Sequence, residues 1–268
     1  MHARSKRSAG AGRSSENGRS SEDRPLSKAD AHTKTVRQIN ILQPPSGAGR
    51  ARGLAVIIDV FRAFSLVPYL FDRGAVRVIA VGKVERAFRL RDDCPDALLV
   101  GERHARKIPG FDYSNSPTEI LTADLSGRTV IHTTHAGTRA LVDAAGADEA
   151  ITGSFVNAAA VARYIEAAGP KTVSLVCSGL EGRAETPEDT LCAGYLRDLL
   201  EGRRPDFESI RDRIVGSECS RRFLDPVERI CPEGDVELCL DLDRFDFAVR
   251  RAEVHDGWCL LQPADSPA

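Results

Sequence analysis

Carboxylates and arginines recur just after apolar runs along this 268-residue chain. Asp59 follows LAVII, Glu102 follows ALLVG, and Glu181 follows TVSLVCSGL; Asp112, Glu188 and Asp189 come a few residues later. Hard oxygen donors with few His or Cys around them favour Mg2+ over zinc. Mg2+ commonly takes one or two carboxylates, several waters and phosphate oxygens. Asp59, Glu102, Asp112, Glu181, Glu188 and Asp189 are therefore the candidate ligands, too many for one ion, and a subset of Asp59, Glu102, Glu181, Glu188 and Asp189 is expected to hold it. Two alternatives compete for some of them. Glu188 and Asp189 also suit the first turn of a helix begun by Thr186-Pro187, and Asp112 before YSNSP suits an Asx-type turn. Arg62, Arg103 and Arg183 can each fork onto a phosphate or an acid group, or pair with a neighbouring carboxylate.

A second kind of chemistry lies in TTHAGT (133–138) and GSFVN (153–157), which end in helix starts. Free backbone N–H groups there can hold a phosphate. Gly137 permits close approach of the chain, and Thr133, Thr134 and Thr138 supply hydroxyls; ordinary N-capping is the alternative. His104 and His135 can act as general acids toward a leaving alkoxide or simply pack in their loops. The stretch GERHARKIPGFDYSNSP (101–117) brings Arg103, Arg106 and Lys107 straight after an apolar strand-like run. These three cations are expected to face an anion, with Glu102 and Asp112 serving a metal or the loop's geometry.

Elements must bring these pieces together. Short apolar runs (INIL, LAVIIDV, VRVIAVG, ALLVGE, TVIHTT, EAITGS, TVSLVCSG and later VELCLDL) read as strands, several of them covered on both faces. Between them KVERAFRLRDD, GTRALVDAAG, NAAAVARYIEAAG and EDTLCAGYLRDLLEG read as helices, with Asn157 as an N-cap and Gly169-Pro170 as a stop. The alternation predicts an α/β fold, a three-layer α/β/α arrangement around a mostly parallel sheet, mixed if C-terminal strands extend it. In such sheets ligands sit beyond the carboxyl ends of the strands. The domain is expected over 37–262, with a division into two lobes open near 203–235. Asp241, Asp243 and Asp246 read as a solvated connection.

Composition removes other classes. A formal charge of −2 gives no bulk attraction to nucleic acid or membrane, so any anion site is local. No apolar run reaches the roughly 20 residues of a membrane helix. The first 36 residues are Ser-, Gly- and Arg-rich, have no signal-peptide core, and are expected to be a disordered basic tail. Seven cysteines without a CxxC pair are expected as reduced thiols in a cytoplasm. Neither GxxxxGK[ST] nor GxGxxG occurs, which removes the common nucleotide loops.

In order, VIIDVFRAF, GERHARKIPGFDYSNSP, TTHAGTRAL, GSFVNAAAVA and CSGLEGRAETPEDTLCAGYL resemble the Mg2+-dependent 2-phosphosulfolactate phosphatases, from about residue 39 to about 202. The resemblance implies Mg2+-dependent hydrolysis of a phosphate monoester on a small acidic substrate, 2-phosphosulfolactate, in coenzyme M synthesis or related sulfonate metabolism. It implies catalytic roles among Asp59, Arg62, Glu102, Arg103 and Glu181. It implies substrate binding by Asn115, Ser116, Thr133, Thr134, Gly137, Thr138, Ser154, Asn157 and Arg183. The family often has Leu-Arg-Ala-Thr where this chain has Phe61-Arg62-Ala63-Phe64, and Asn-Gly where it has Ala136-Gly137. No DxDx[TV] pattern is present, so water is the expected nucleophile, with Asp59 the alternative. The competing function is a noncatalytic module that kept the anion pocket. Self-association is left open.

Overall fold

The computed structural model describes residues 37–265; the stretch expected to be a disordered basic tail lies outside the described residues. The chain begins with β1 (Gln38–Leu42), α1 (Gly47–Arg50), β2 (Leu54–Ile58), α2 (Ala63–Asp72), β3 (Arg77–Val81), α3 (Val84–Asp93) and β4 (Leu98–Arg103). It continues through β5 (Arg106–Lys107), α4 (Pro117–Ile120), β6 (Thr129–Thr133), α5 (Gly137–Asp143), β7 (Glu149–Gly153), α6 (Ala158–Ala168) and β8 (Thr172–Cys177). The last part holds α7 (Pro187–Leu200), α8 (Phe207–Val215), α9 (Arg221–Leu224), α10 (Gly234–Cys239), β9 (Ala248–His255) and β10 (Trp258–Ala264).

These strands form one sheet in the order β1-β8-β2-β7-β9-β10-β3-β6-β4-β5. β1, β8, β2 and β7 are mutually parallel neighbours, and so are β3, β6 and β4. The C-terminal hairpin β9–β10 joins the two sets, antiparallel to β7 on one side and to β3 on the other. The expected mixed, mostly parallel α/β sheet is what forms, and the C-terminal strands enlarge it from its middle. Three antiparallel pairings in succession (β7–β9, β9–β10, β10–β3) make the two parallel sets run in opposite senses.

Burial follows from strand periodicity. Every residue of β2 is buried, and alternate residues enter different cores. Leu54, Val56 and Ile58 pack with Val161 and Ile165 of α6 and Leu196 of α7. Ala55 and Ile57 pack with Phe64, Val67 and Leu70 of α2. β3 divides likewise: Val78 and Ala80 share the α2 core, while Ile79 and Val81 meet Ala87 of α3. Helix α2 is thus shared between both strand sets, and each of its large apolar side chains so buried contributes roughly 1.5–3 kcal/mol. That burial fixes the loop just before it, Asp59–Arg62.

Two local readings are corrected. VELCLDL was expected as a strand; its first residues instead end α10. Val236, Cys239 and Leu240 fall at i, i+3 and i+4 and are all buried, a helical spacing that a short apolar run conceals. Asn157 was expected to cap α6, but its side chain makes no cap bond and its Nδ2 donates to Phe247 O. The cap comes from Asp243, whose Oδ1 accepts from Ala159 N at 2.6 Å. All seven cysteines are unpaired.

Candidate active site

The loops after β2, β4, β6 and β8 meet at one cavity of about 280 Å³, on the scale of a small-metabolite site. Its lining includes Asp59, Arg62, Glu102, Asn115, Thr134, Glu181, Glu188 and Asp189, together with His104, His135 and Arg222. Strand ends from both parallel sets therefore contribute to a single site.

Four carboxylates crowd its floor. Asp59 Oδ1 accepts from Ala63 N at 3.1 Å, at the entry to α2. Asp189, in the first turn of α7, accepts from Val60 N at 2.9 Å and Gly179 N at 2.8 Å, so it ties the β2 and β8 loops together. Glu102 accepts from Ala105 N and His135 N, both at 2.8 Å, and links the β4 and β6 loops in the same way. Glu188 differs: its Oε2 is buried without a partner, and its Oε1 stands 4.0 Å from Arg222.

Burial pushes the Asp59 carboxyl up to about 6; the Ala63 N–H opposes this, while the charges of Glu102 and Glu188 reinforce it. Burial, then Asp59 and Glu188, push Asp189 well above the usual carboxylate range. Mutually repelling buried acids with open oxygens are the donor set of a hard divalent cation. Asp59, through its second oxygen, and Glu188 are the residues with capacity left for one. Glu102 and Asp189 already organise backbone amides.

Two arginines balance this floor. Arg62 donates to Asp235 Oδ2 at 3.0 Å and to Ala105 O at 3.2 Å. Arg222 donates to Phe61 O at 3.0 Å and lies over the Phe223 ring, 5.1 Å from its centroid. Glu181 belongs to the mouth. His104 Nδ1 is 2.6 Å and His135 Nδ1 3.8 Å from its Oε1, and the hydrogen bond with His104 lowers its pKa. These three side chains form a group whose donor atoms could hold a metal ion.

Several expected site residues are placed elsewhere. Arg103 does not line the cavity: it donates to Thr133 Oγ1 at 3.0 Å and to Glu102 O at 2.6 Å, which also occupies the Thr133 hydroxyl. Arg106 and Lys107 are exposed on β5, paired with β4. The basic loop is a tight hairpin, Glu102 opposite Lys107 and Arg103 opposite Arg106, and neither Arg106 nor Lys107 lines the cavity. Asp112 accepts from Leu99 N and Arg91. Thr134 lines the cavity and Thr138 does not, but the two satisfy each other's amides across the start of α5, at 2.9 and 3.2 Å. Ser116 Oγ donates to Asp235 at 2.7 Å. Ser154 is buried under α2, donating to Phe64 O at 3.2 Å, and the β7 end contributes nothing to the cavity lining. Arg183 lines a neighbouring cavity of about 320 Å³. Gly137 lies where a Cβ would come within 2.6 Å of Asp59 Oδ2 and 2.9 Å of Ala63 Cβ; the close approach is to the Asp59 carboxylate and the start of α2, where its residue type had suggested one to a bound phosphate.

Sequence reasoning missed Arg222 and Asp235. Both fall in the charged stretch 203–240, where nothing in the local pattern separates a buried charge from a solvated one.

Fold and site together define an α/β protein with a carboxylate- and arginine-lined cavity at converging strand ends. The chain belongs to the family described as 2-phosphosulpholactate phosphatase, whose model matches residues 42–251. It is 37% identical over 206 residues to a probable 2-phosphosulfolactate phosphatase of Caldanaerobacter subterraneus subsp. tengcongensis, covering 71% of this chain and 84% of the relative. It is 41% identical over 209 residues to one of Caldicellulosiruptor saccharolyticus, covering 72% and 86%. A Bacillus subtilis relative of the same name is 30% identical over 199 residues, covering 73% and 85%. No helix among the described residues is long and apolar enough to cross a membrane.

Proposed function

We propose that the protein is a Mg2+-dependent phosphoric monoester hydrolase that converts 2-phosphosulfolactate to sulfolactate and phosphate. The observation that carries the reading is the buried acidic floor: Asp59, Glu102, Glu188 and Asp189 line one cavity, and Glu188 Oε2 is without a partner. Asp59 and Glu188 would hold the metal, with Asp189 and Glu102 fixing the loops around it. Bound there, Mg2+ would polarise a phosphoryl oxygen and offset its charge.

The chain's own residues do the rest. Arg62 and Arg222 face the cavity and balance the remaining negative charge of the ester. Positioning and charge neutralisation carry most of phosphoryl transfer, so water attacks phosphorus in line and the P–O bond to the lactate carbon skeleton breaks. The departing alkoxide takes its proton from solvent water at the open mouth of the cavity. The family name and the relatives' names support the substrate; the cavity volume suits a three-carbon phosphorylated acid.

The test is a turnover panel of 2-phosphosulfolactate, phospholactate and phosphoglycerate, with Mg2+ and with EDTA. Metal-dependent release of phosphate, fastest from 2-phosphosulfolactate, is the expected result. Binding of these acids without turnover under any metal condition would instead define a noncatalytic anion-binding module.

A further inference from the structure

We propose that His104, His135 and Glu181 form a second metal site at the mouth of the cavity, selective for a first-row transition-metal dication such as Zn2+ or Co2+. It is separate from the carboxylate floor and does not depend on the phosphatase reading.

The first argument is the donor set. Two imidazoles and one carboxylate, with all three donor atoms within 4.8 Å of one another, come from three different loops. Imidazole nitrogen suits zinc, copper, iron and nickel, whereas Mg2+ prefers oxygen and keeps its waters. Three protein ligands leave an open position, as at catalytic zinc sites. The four carboxylates of the floor lack a nitrogen donor, so the two sites differ in the ion each selects.

Geometry supports it. His104 Nδ1 and His135 Nδ1 are 2.6 and 3.8 Å from the same oxygen, Glu181 Oε1. Ligands about 2.0–2.1 Å from a tetrahedral ion stand roughly 3.3 Å apart, so rotamer adjustments of about an ångström convert the cluster to a coordination shell. The rings are edge-on, 4.9 Å between centroids at 75°. His135 Nδ1 is buried without a hydrogen-bond partner.

Backbone strain is a second, independent observation. The hairpin between β4 and β5 turns on His104 and Ala105, with φ of 52° and 61°. A two-residue turn of this kind strongly prefers Asn and Gly, yet here it presents an imidazole. Glu181 also has a positive φ, 53°. Such positions cost of order 1 kcal/mol or more each and cluster where function demands them. Two of the three donors are on strained residues that face each other.

The cluster also stands between two cavities: His135 and Glu181 line both the main cavity and the neighbouring one that contains Arg183. An ion there would bring fixed positive charge to the mouth, opposite the floor, where a substrate's second acidic group can meet it.

The experiment is Co2+ titration of the full-length protein, without substrate and with Mg2+ in excess. The variants are His104→Asn/His135→Asn and Glu181→Gln, with circular dichroism to confirm that they fold. The expected result is one equivalent of Co2+ giving visible d–d absorption without a thiolate charge-transfer band, displaced by Zn2+ but not by Mg2+. The double variant should bind at least about 100-fold more weakly or not at all, since losing even an outer-shell partner of a ligand costs about 10–100-fold. Three outcomes overturn the proposal. One is the absence of saturable Co2+ binding, which leaves His104–Glu181 an ordinary hydrogen bond. Another is a thiolate band, which assigns the ion to cysteine. The third is equal affinity in folded variants and wild type.

Discussion

Arg62 and Asp235 form an ion pair at 3.0 Å between side chains that are 3% and 0% exposed, 173 positions apart in the chain. Asp235 also accepts from Ser116 Oγ and Thr118 N. One carboxylate of α10 thus fixes the arginine that follows β2 and the SNSP turn before α4. Removing one member of a buried pair leaves the other charge uncompensated, at a cost of about 3–5 kcal/mol. D235N should therefore lower unfolding free energy by that order, read by urea denaturation, and should also reduce kcat because Arg62 loses its orientation. A stability loss under about 1 kcal/mol would show the pair to be dispensable.

Gly137 is needed for space, since its φ is not in the left-handed region. A methyl group there would press on Asp59 Oδ2 at 2.6 Å and on Ala63 Cβ at 2.9 Å. Overpacking of this kind costs roughly 1–3 kcal/mol, and the group displaced is the carboxylate proposed to hold the metal. G137A should lose at least about tenfold in kcat/KM, with a weaker apparent affinity for Mg2+ in the activity assay. Unchanged metal dependence alongside full activity would separate Gly137 from the site.

His132 is fully buried in β6, with Nε2 3.0 Å from Asn115 Oδ1. Burial, helped by the charge of Arg103, depresses its pKa to about 3. The native state keeps it neutral while the unfolded chain protonates below about 6.5. The unfolded state binds the extra proton between those values, so stability falls as pH drops from about 6.5 toward 3, by roughly 1.4 kcal/mol per pH unit. H132N removes this dependence. Urea midpoints of wild type and H132N at pH 7, 6 and 5 should converge or cross as pH falls, the carboxylate background being common to both. Parallel curves would contradict the assignment.

Much of this was legible from sequence, and the gaps have physical causes. Most of the strand runs and the placement of Asp59, Glu102, Glu181, Glu188 and Asp189 after them follow from local pattern. A resemblance in five ordered motifs also carried the family. Arg103, Ser154 and Thr138 were legible as polar residues near strand ends, but not as inward-facing partners of Thr133, Phe64 O and Thr134. Whether a hydroxyl or guanidinium at a strand end faces the ligand or the core depends on tertiary packing. The sheet's reversal was hidden for the same reason: inserting β9–β10 between β7 and β3 is a choice made by sequence-distant pairing. Arg222 and Asp235 could be recognised only once α9 and α10 were seen against the β2 loop.

The acidic floor makes a prediction about metal and stability together. Asp59 has its pKa raised to about 6, above the usual value of about 3.9. The native state therefore holds the proton more tightly than the unfolded chain, and metal-free stability contributed by this group is lost as pH rises from about 4 through 6. At pH 7.5 the charged carboxylate is a standing cost that a cation relieves. Mg2+ at about 100 times its dissociation constant should add roughly 2.7 kcal/mol, which for a chain of this size raises Tm by about 5–11 °C. The shift should shrink at pH 5, where protons compete for Asp59, and should largely vanish in E188Q, which removes the charge beside the unpartnered Oε2. Differential scanning fluorimetry of wild type, D59N and E188Q with and without Mg2+ gives the answer. An equal Mg2+ shift in all three proteins would remove the floor as the metal's site.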